Sequence, residues 1–336
     1  MTHGGRRDAV ARLALAAGGL AGLPLRARAQ APGGAFPSRP VRLVSSGVVG
    51  GLTDSVARIA AERMATSPGM RGQPVIVDNR PGAGGIISMM VVAKSTPDGY
   101  SIKIADIGST SIIPALHRKP QYVTLRDFEP VTLIGTTPLF LAVSASLGVS
   151  TFAELVSLAK AKPGALSYGS SGVGSIHHLV TEAMKQQLGI DLVHVAYKGS
   201  SQSTPALLNG EVQVLFSTIA QVAGHVGAGK VRLVAVASPE RSHQARAVPT
   251  LAELGYKELT FVPSVGALAP AGTPAPVVRA LADEMRKALT HPDSLQRYER
   301  IGIDVVASTP EAYAAILKSD VVAYTRAVKA SGASVD

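Results

Sequence analysis

The chain has 336 residues, 46% hydrophobic and 17% charged, a composition that excludes disorder and allows a sizeable core without covalent staples. It contains no cysteine and no tryptophan, which rules out disulfides, iron–sulfur clusters, thiolate metal sites and cysteine nucleophiles and argues against base-stacking nucleic-acid surfaces. The formal net charge is +10, of which residues 1–29 carry five arginines and one aspartate; about +6 remains beyond them, in no block of like charge, enough for mild attraction of anionic ligands and not for a nucleic-acid partner.

In chain order, Arg6 and Arg7 precede an apolar stretch of 13 residues, Leu13 to Leu25. That stretch is too short for a bilayer core of roughly 30 Å. Ala27-Arg28-Ala29 fits the small-x-small cleavage rule. Together these predict an export signal over residues 1–29, a Sec or Tat route, a start at Gln30 and a periplasmic location. From residue 40 strands and helices alternate, the pattern of an α/β fold with largely parallel sheets. Strands are expected at 41–44, 75–77 and 100–104, with helices between them starting near Asp54 and over 86–94. Apolar runs at 130–134 and 139–143 lead out of this first unit. Thr151 caps a helix to Ala161, a strand at 166–168 runs into a helix over 176–188, and Gly189 stops it. Further strands are expected at 192–195, 212–216 and 231–237, with Pro205 in the first turn of a short helix. The chain then returns between Phe261 and Ala269, and helices follow from Pro276 and from the Thr309 cap. The expected division is a first lobe over 30–143, a second over 144–262, and a return to the first over 263–336.

Three glycine-rich strand-to-helix loops stand out. Ser45-Ser-Gly-Val-Val-Gly-Gly-Leu-Thr-Asp54 follows the first strand, with Thr53 or Asp54 as a helix cap. Pro81–Gly85 opens the second helix, and Gly169-Ser-Ser-Gly-Val-Gly-Ser175 opens the helix at Ile176. A helix start offers unpaired amides and a favourable dipole to an anion. The run 169–175 reads equally well as an ordinary strand-to-helix turn. It lacks the Gly-Lys-Ser/Thr of a P-loop and the spacing of a nucleophile elbow. His177 and His178 are adjacent and point in different directions, so they suit capping or burial better than metal binding. Asp54, Asp78, Asp98, Asp106 and Asp127 occupy positions where cap and turn roles suffice. No catalytic residue, metal site or cofactor is expected.

The runs Pro37-Ser-Arg-Pro-Val-Arg-Leu-Val44, Asn79-Arg-Pro-Gly-Ala-Gly-Gly85, Lys94-x-x-Pro-Asp-Gly-Tyr100, Tyr197-Lys-Gly199, Ala269-Pro-Ala-Gly-Thr-Pro274 and Lys329-Ala-Ser-Gly-Ala333 resemble the Bug (TctC-like) family, periplasmic receptors of tripartite tricarboxylate transporters. The resemblance spans about residues 36–336. It implies a two-lobed, type II periplasmic-binding-protein-like fold that closes on a small organic carboxylate, acts as a monomer and serves membrane permease subunits. Carried over residue by residue, it implies ligand contacts from Ser45, Ser46, Gly50, Gly51, Thr53 and Asp54, from Gly84 and Gly85, from Ser170, Ser171, Gly174, Ser175 and His178, from Tyr197, Lys198 and Gly199, and from Ser217 and Thr218.

Departures from the family pattern bear on the ligand. Ser46-Gly-Val-Val49 stands where Pro-Phe-Pro-Pro is usual, Ser217-Thr218 where an aspartate is frequent, and Ser109–Ile113 replaces polar positions; a frequent aromatic near Ser264 is missing. These changes suggest a smaller or more apolar carboxylate and disfavour an amino acid. Two other functions fit the same chain: a liganded partner of a membrane sensor kinase, and a secreted α/β hydrolase with a serine nucleophile.

Overall fold

The computed structural model describes residues 36–335; the export segment expected over residues 1–29 lies outside the described residues. Strand β1 (Val41–Ser45) leads into helix α1 (Leu52–Ala65) and the chain returns as β2 (Val75–Asn79), parallel to β1. Helix α2 (Ile86–Ala93) carries it back to β3 (Ser101–Asp106), parallel to β1 on the other side. A π-helical turn (Gly108–Ile112) and two short helices, α3 (Ile113–Leu116) and α4 (Thr124–Asp127), precede β4 (Phe128–Thr136). Only two residues separate β4 from β5 (Leu139–Ser144), yet β5 belongs to a second sheet.

That sheet is built by β5, α5 (Phe152–Ala161), β6 (Ser167–Ser170), α6 (Ile176–Leu188), β7 (Val193–Ala196), α7 (Ser200–Leu208), β8 (Val214–Thr218), α8 (Ile219–Gly227) and β9 (Val231–Val236). The chain returns through β10 (Ser264–Pro270), α9 (Ala275–Leu289), α10 (Pro292–Arg300), β11 (Asp304–Val305) and α11 (Pro310–Ser331). The sheet orders are β11-β4-β10-β3-β1-β2 and β7-β6-β8-β5-β9. The fold is thus two-lobed, each lobe an α/β layer on its own sheet, and the sequence reading's first lobe to residue 143 includes a strand that pairs in the second.

The sheets are less parallel than the alternating pattern predicts. β2-β1-β3 and β7-β6-β8 pair in parallel, while β10 pairs antiparallel with β3 and β4, β11 with β4, and β5 with β8 and β9, so β10, β11 and β5 are the reversed strands. The cause is the crossing itself, because β4 with β10 and β5 with β9 carry the chain between lobes without helical crossovers of the βαβ kind.

Local chemistry sets the helix starts. Thr151 forms a capping box with Glu154, whose amide donates to the Thr151 hydroxyl at 3.2 Å. Ser175 accepts the His178 amide at the head of α6, and Gly189 ends that helix at φ +61°. α1 begins earlier than expected: Gly51 is the N-cap and no side chain caps it, so Thr53 and Asp54 fall inside the first turn. Pro205 is the sixth residue of α7 and not in its first turn, since Gly199 already starts the helix.

Helix α11 ties the lobes together. Its Tyr313 and Leu317 pack with Val44, Met89 and Leu133 of the first lobe. Its Tyr324, Ala327 and Val328 pack with Leu179, Met184 and Phe216 of the second.

Candidate ligand-binding cleft

The parallel strands of both sheets end on one cleft of about 730 Å³, a size suited to a small molecule. Its walls come from the segments after β1, β3, β6 and β8, the carboxyl ends at which open α/β sheets bind ligands. Polar lining comes from both lobes, with Ser46 and Thr53 from the first and Ser171, Ser175, Ser200 and Thr218 from the second. Apolar lining includes Leu52, Ile107, Ile112, Ile113, Leu116 and Leu139. Among the described residues no lysine or arginine borders it, and Asp106 is its one charged side chain.

The first loop folds on itself. The Ser45 hydroxyl donates to Thr53 Oγ1 at 3.0 Å and accepts the Gly47 amide at 3.0 Å. The Gly50 amide donates to Asp54 Oδ2 at 2.8 Å, Arg58 Nε reaches the same oxygen at 2.9 Å, and the Gly51 amide donates to the Val48 carbonyl. Burial opposes the Asp54 charge, but Arg58 and the Gly50 amide outweigh it and hold the carboxyl below its usual range. Asp54 is therefore a brace. What remains open is the head of α1, whose first-turn amides have no intrahelical acceptor; the Ser46 hydroxyl is buried without a hydrogen-bond partner. Gly47 is needed there because a Cβ would come within 2.7 Å of Thr53 Oγ1 and 3.3 Å of the Asp54 amide.

The facing loop rests on a stack of rings. Tyr168 stacks on His194 at 4.7 Å and His194 on His178 at 4.3 Å, both nearly parallel. The Gly174 amide donates to His178 Nδ1 at 3.1 Å, which requires that nitrogen to be unprotonated. Ser170 Oγ and His194 Nε2 lie 2.7 Å apart. Below them Tyr168 donates to Glu182 at 2.5 Å and Lys185 pairs with the same carboxylate at 2.9 Å. Burial pushes His194 down to about 4 and lowers His178, so both rings are neutral at neutral pH. His177, on the cleft, is also pushed down to about 4 by burial and lies 2.7 Å from Ser171 Oγ. Among the described residues no carboxylate orients His177, so this Ser–His pair lacks the third member that nucleophilic catalysis relies on.

The model of the tripartite tricarboxylate transporter family receptor, TctC, matches residues 56–332. The chain belongs to this family. A protein encoded in the tcbD-tcbE intergenic region of Pseudomonas sp. strain P51 is 36% identical over 290 residues, covering 85% of this chain and 84% of that protein. The periplasmic binding protein BugD is 32% identical with a TM-score of 0.72, covering 89% of this chain and 99% of that one. R. palustris Rpa4515, solved with adipate, is 30% identical with a TM-score of 0.75 over 89% and 99% of the two chains.

Within this TctC chain the expected site residues divide. Ser46, Thr53, Gly84, Gly85, Ser171, Gly174, Ser175 and Thr218 line the cleft. Ser45, Gly50, Gly51 and Asp54 hold the first loop from behind, and Ser170 and His178 do the same for the second. Tyr197, Lys198, Gly199 and Ser217 are outside the lining: the Tyr197 hydroxyl donates to Glu211, the Lys198 amide to Gln202, Gly199 caps α7, and the Ser217 hydroxyl donates to Gln221. The glycine amides expected to be open are taken up within the chain, that of Gly50 by Asp54, Gly51 by the Val48 carbonyl, Gly172 by Ser170 and Gly174 by His178. Asp106, Thr137, His177 and Gln221 border the cleft although the sequence did not assign them to it; the positions expected to bear on the ligand, Ser109–Ile113 and Ser264, fall in or beside the Ile107–Leu116 and Pro263–Val265 stretches of its lining. Position at a strand end was a usable signal for Asp106 and Thr137, and the resemblance was the signal for the π-helical turn.

Proposed function

We propose that this protein is an exported receptor that captures a small organic carboxylate between its lobes and delivers it to the permease subunits of a tripartite tricarboxylate transporter. The observation that carries the reading is the head of α1, which no side chain caps and which borders the cleft together with Ser46, whose hydroxyl has no hydrogen-bond partner. A carboxylate oxygen there would accept from that hydroxyl and from first-turn amides, with the helix dipole supplying the positive end that no side chain does. Thr53 and the Ser171–Ser175 loop face the same space. Binding by fixed dipoles needs no lysine or arginine in the cleft, and an apolar lining excludes water from the bound acid.

The test is isothermal titration and thermal denaturation of the exported protein against a broad panel of organic acids. An acid at 100 times its Kd should add about 2.7 kcal/mol of stability, and Ser46→Ala should weaken binding about tenfold. A panel in which no acid binds refutes carboxylate capture. Delivery is tested by uptake of the same acid in cells lacking this gene; uptake at the wild-type rate refutes it.

A further inference from the structure

Asp106 sits where β3 opens into the cleft. Its Oδ1 accepts the Ser109 amide at 2.8 Å and so starts the Gly108–Ile112 turn. Its Oδ2 makes no hydrogen bond to any described residue and is not sealed from solvent. The segment after it contributes Gly108 and otherwise apolar groups to the cleft, Ile107, Ile112, Ile113 and Leu116. The neighbouring cation, Lys103, is turned away: it is fully buried and its Nζ donates to the Ile104 carbonyl at 2.6 Å. Burial pulls Lys103 down to about 8 while Asp106 opposes that shift. The acid thus enters the cleft with one oxygen committed to the chain and one available.

Closure on a ligand removes water from that free oxygen, and an ionised carboxylate buried without a donor is strongly unfavourable. A second ligand carboxylate beside it would add like-charge repulsion. Resting on the carboxylate reading above, we propose that the ligand is a monocarboxylate with a short apolar body that also carries a hydrogen-bond donor, a hydroxyl or an ammonium group, and that Asp106 receives this donor while the head of α1 and Ser46 hold the carboxylate. The missing acid after β8 is then no bar to an ammonium group, because the acid after β3 takes its place.

Matched sets of four to eight carbons decide the matter: the unsubstituted monocarboxylate, its hydroxy and amino derivatives, and the dicarboxylate of equal length, titrated into the wild type and Asp106→Asn. In the set that binds, a donor-bearing acid should bind at least about tenfold more tightly than the unsubstituted acid and the dicarboxylate. Asp106→Asn should abolish that preference; its remaining carbonyl still accepts the Ser109 amide, and an unchanged melting curve checks the fold. Preference for the amino member identifies ammonium, and for the hydroxy member a neutral donor. Equal or tighter binding of the unsubstituted acid or the dicarboxylate overturns the inference and leaves carboxylate capture standing, as does a preference that survives Asp106→Asn. If the variant fails to fold, the wild-type ranking alone decides. If no acid binds, the carboxylate reading falls and this inference with it.

Discussion

Asp320 offers a quantitative test of how α11 joins the lobes. It lies between Leu317, packed in the first lobe, and Tyr324, packed in the second, and its Oδ2 is buried with no hydrogen-bond partner. The Tyr324 hydroxyl is likewise buried and unpaired. Burial pushes the Asp320 carboxyl from 3.8 up to about 6, and burial together with its charge raises the Tyr324 phenol. A rise of that size corresponds to about 3 kcal/mol of destabilisation once the group is ionised in both states. The side chain is partly exposed, so screening reduces this to about 1–2 kcal/mol. Below pH 3.8 the group is protonated whether folded or not and the penalty is absent; it grows between pH 3.8 and 6, where only the unfolded chain is ionised, and is complete above about 7. Asp320→Asn removes the charge and supplies a donor for the Tyr324 oxygen. Thermal denaturation at pH 7.5 should show a rise in Tm of about 2–5 °C, and at pH 4 the variant and wild type should coincide. A lower Tm at pH 7.5 would refute the reasoning by showing that the carboxylate has a favourable partner, and a gain that persists at pH 4 would refute it by showing that the charge is not the cause.

Other expectations follow from the same geometry. Gly47→Ala puts a methyl against Thr53 and over the head of α1, so Thr53 must shift, stability should fall by about 1–3 kcal/mol, and affinity for a bound acid should fall about tenfold; thermal denaturation and calorimetry check the two, and unaltered affinity would remove α1 from the site. Gly266 on β10 lies directly under the Tyr313 phenol, and Gly266→Ala should cost about 2–4 kcal/mol in urea unfolding, a loss that Tyr313→Leu in the same chain should partly restore. His177 and His194, both pushed down to about 4, are neutral when folded, whereas the unfolded chain takes up their protons below pH 6.5. Their contribution is intact above pH 6.5 and lost as pH falls toward 4, about 1–2 kcal/mol in total by pH 5 after allowance for screening. Chemical denaturation from pH 7 to 4.5 should show that slope, and His194→Asn should flatten it; an identical slope in the variant assigns the acid lability elsewhere.

Much of the architecture was legible in residues 36–336. Apolar runs marked most of the strands, and Thr151, Ser175 and Gly189 marked helix ends because caps act through bonds within three or four residues. The Asn79–Gly85 and Tyr197–Gly199 runs pointed to the family. The site was legible only in part. Glycine loops after strands located the two polar walls, but a loop read from sequence looks the same whether its amides face a ligand or its own side chains. Asp54, Ser170 and His178 take up those amides and hydroxyls here.

By itself the sequence determined the α/β class, the order of strands and helices and the family, since each depends on local propensity or on motifs of a few neighbouring residues. Tertiary structure alone decided which sheet β5 joins, that Asp106 enters the cleft while Lys103 turns into the core, and that Tyr197 and Ser217 stay out of it. Those outcomes depend on side chains far apart in the chain sharing one volume, and on which of them finds a partner before a ligand does.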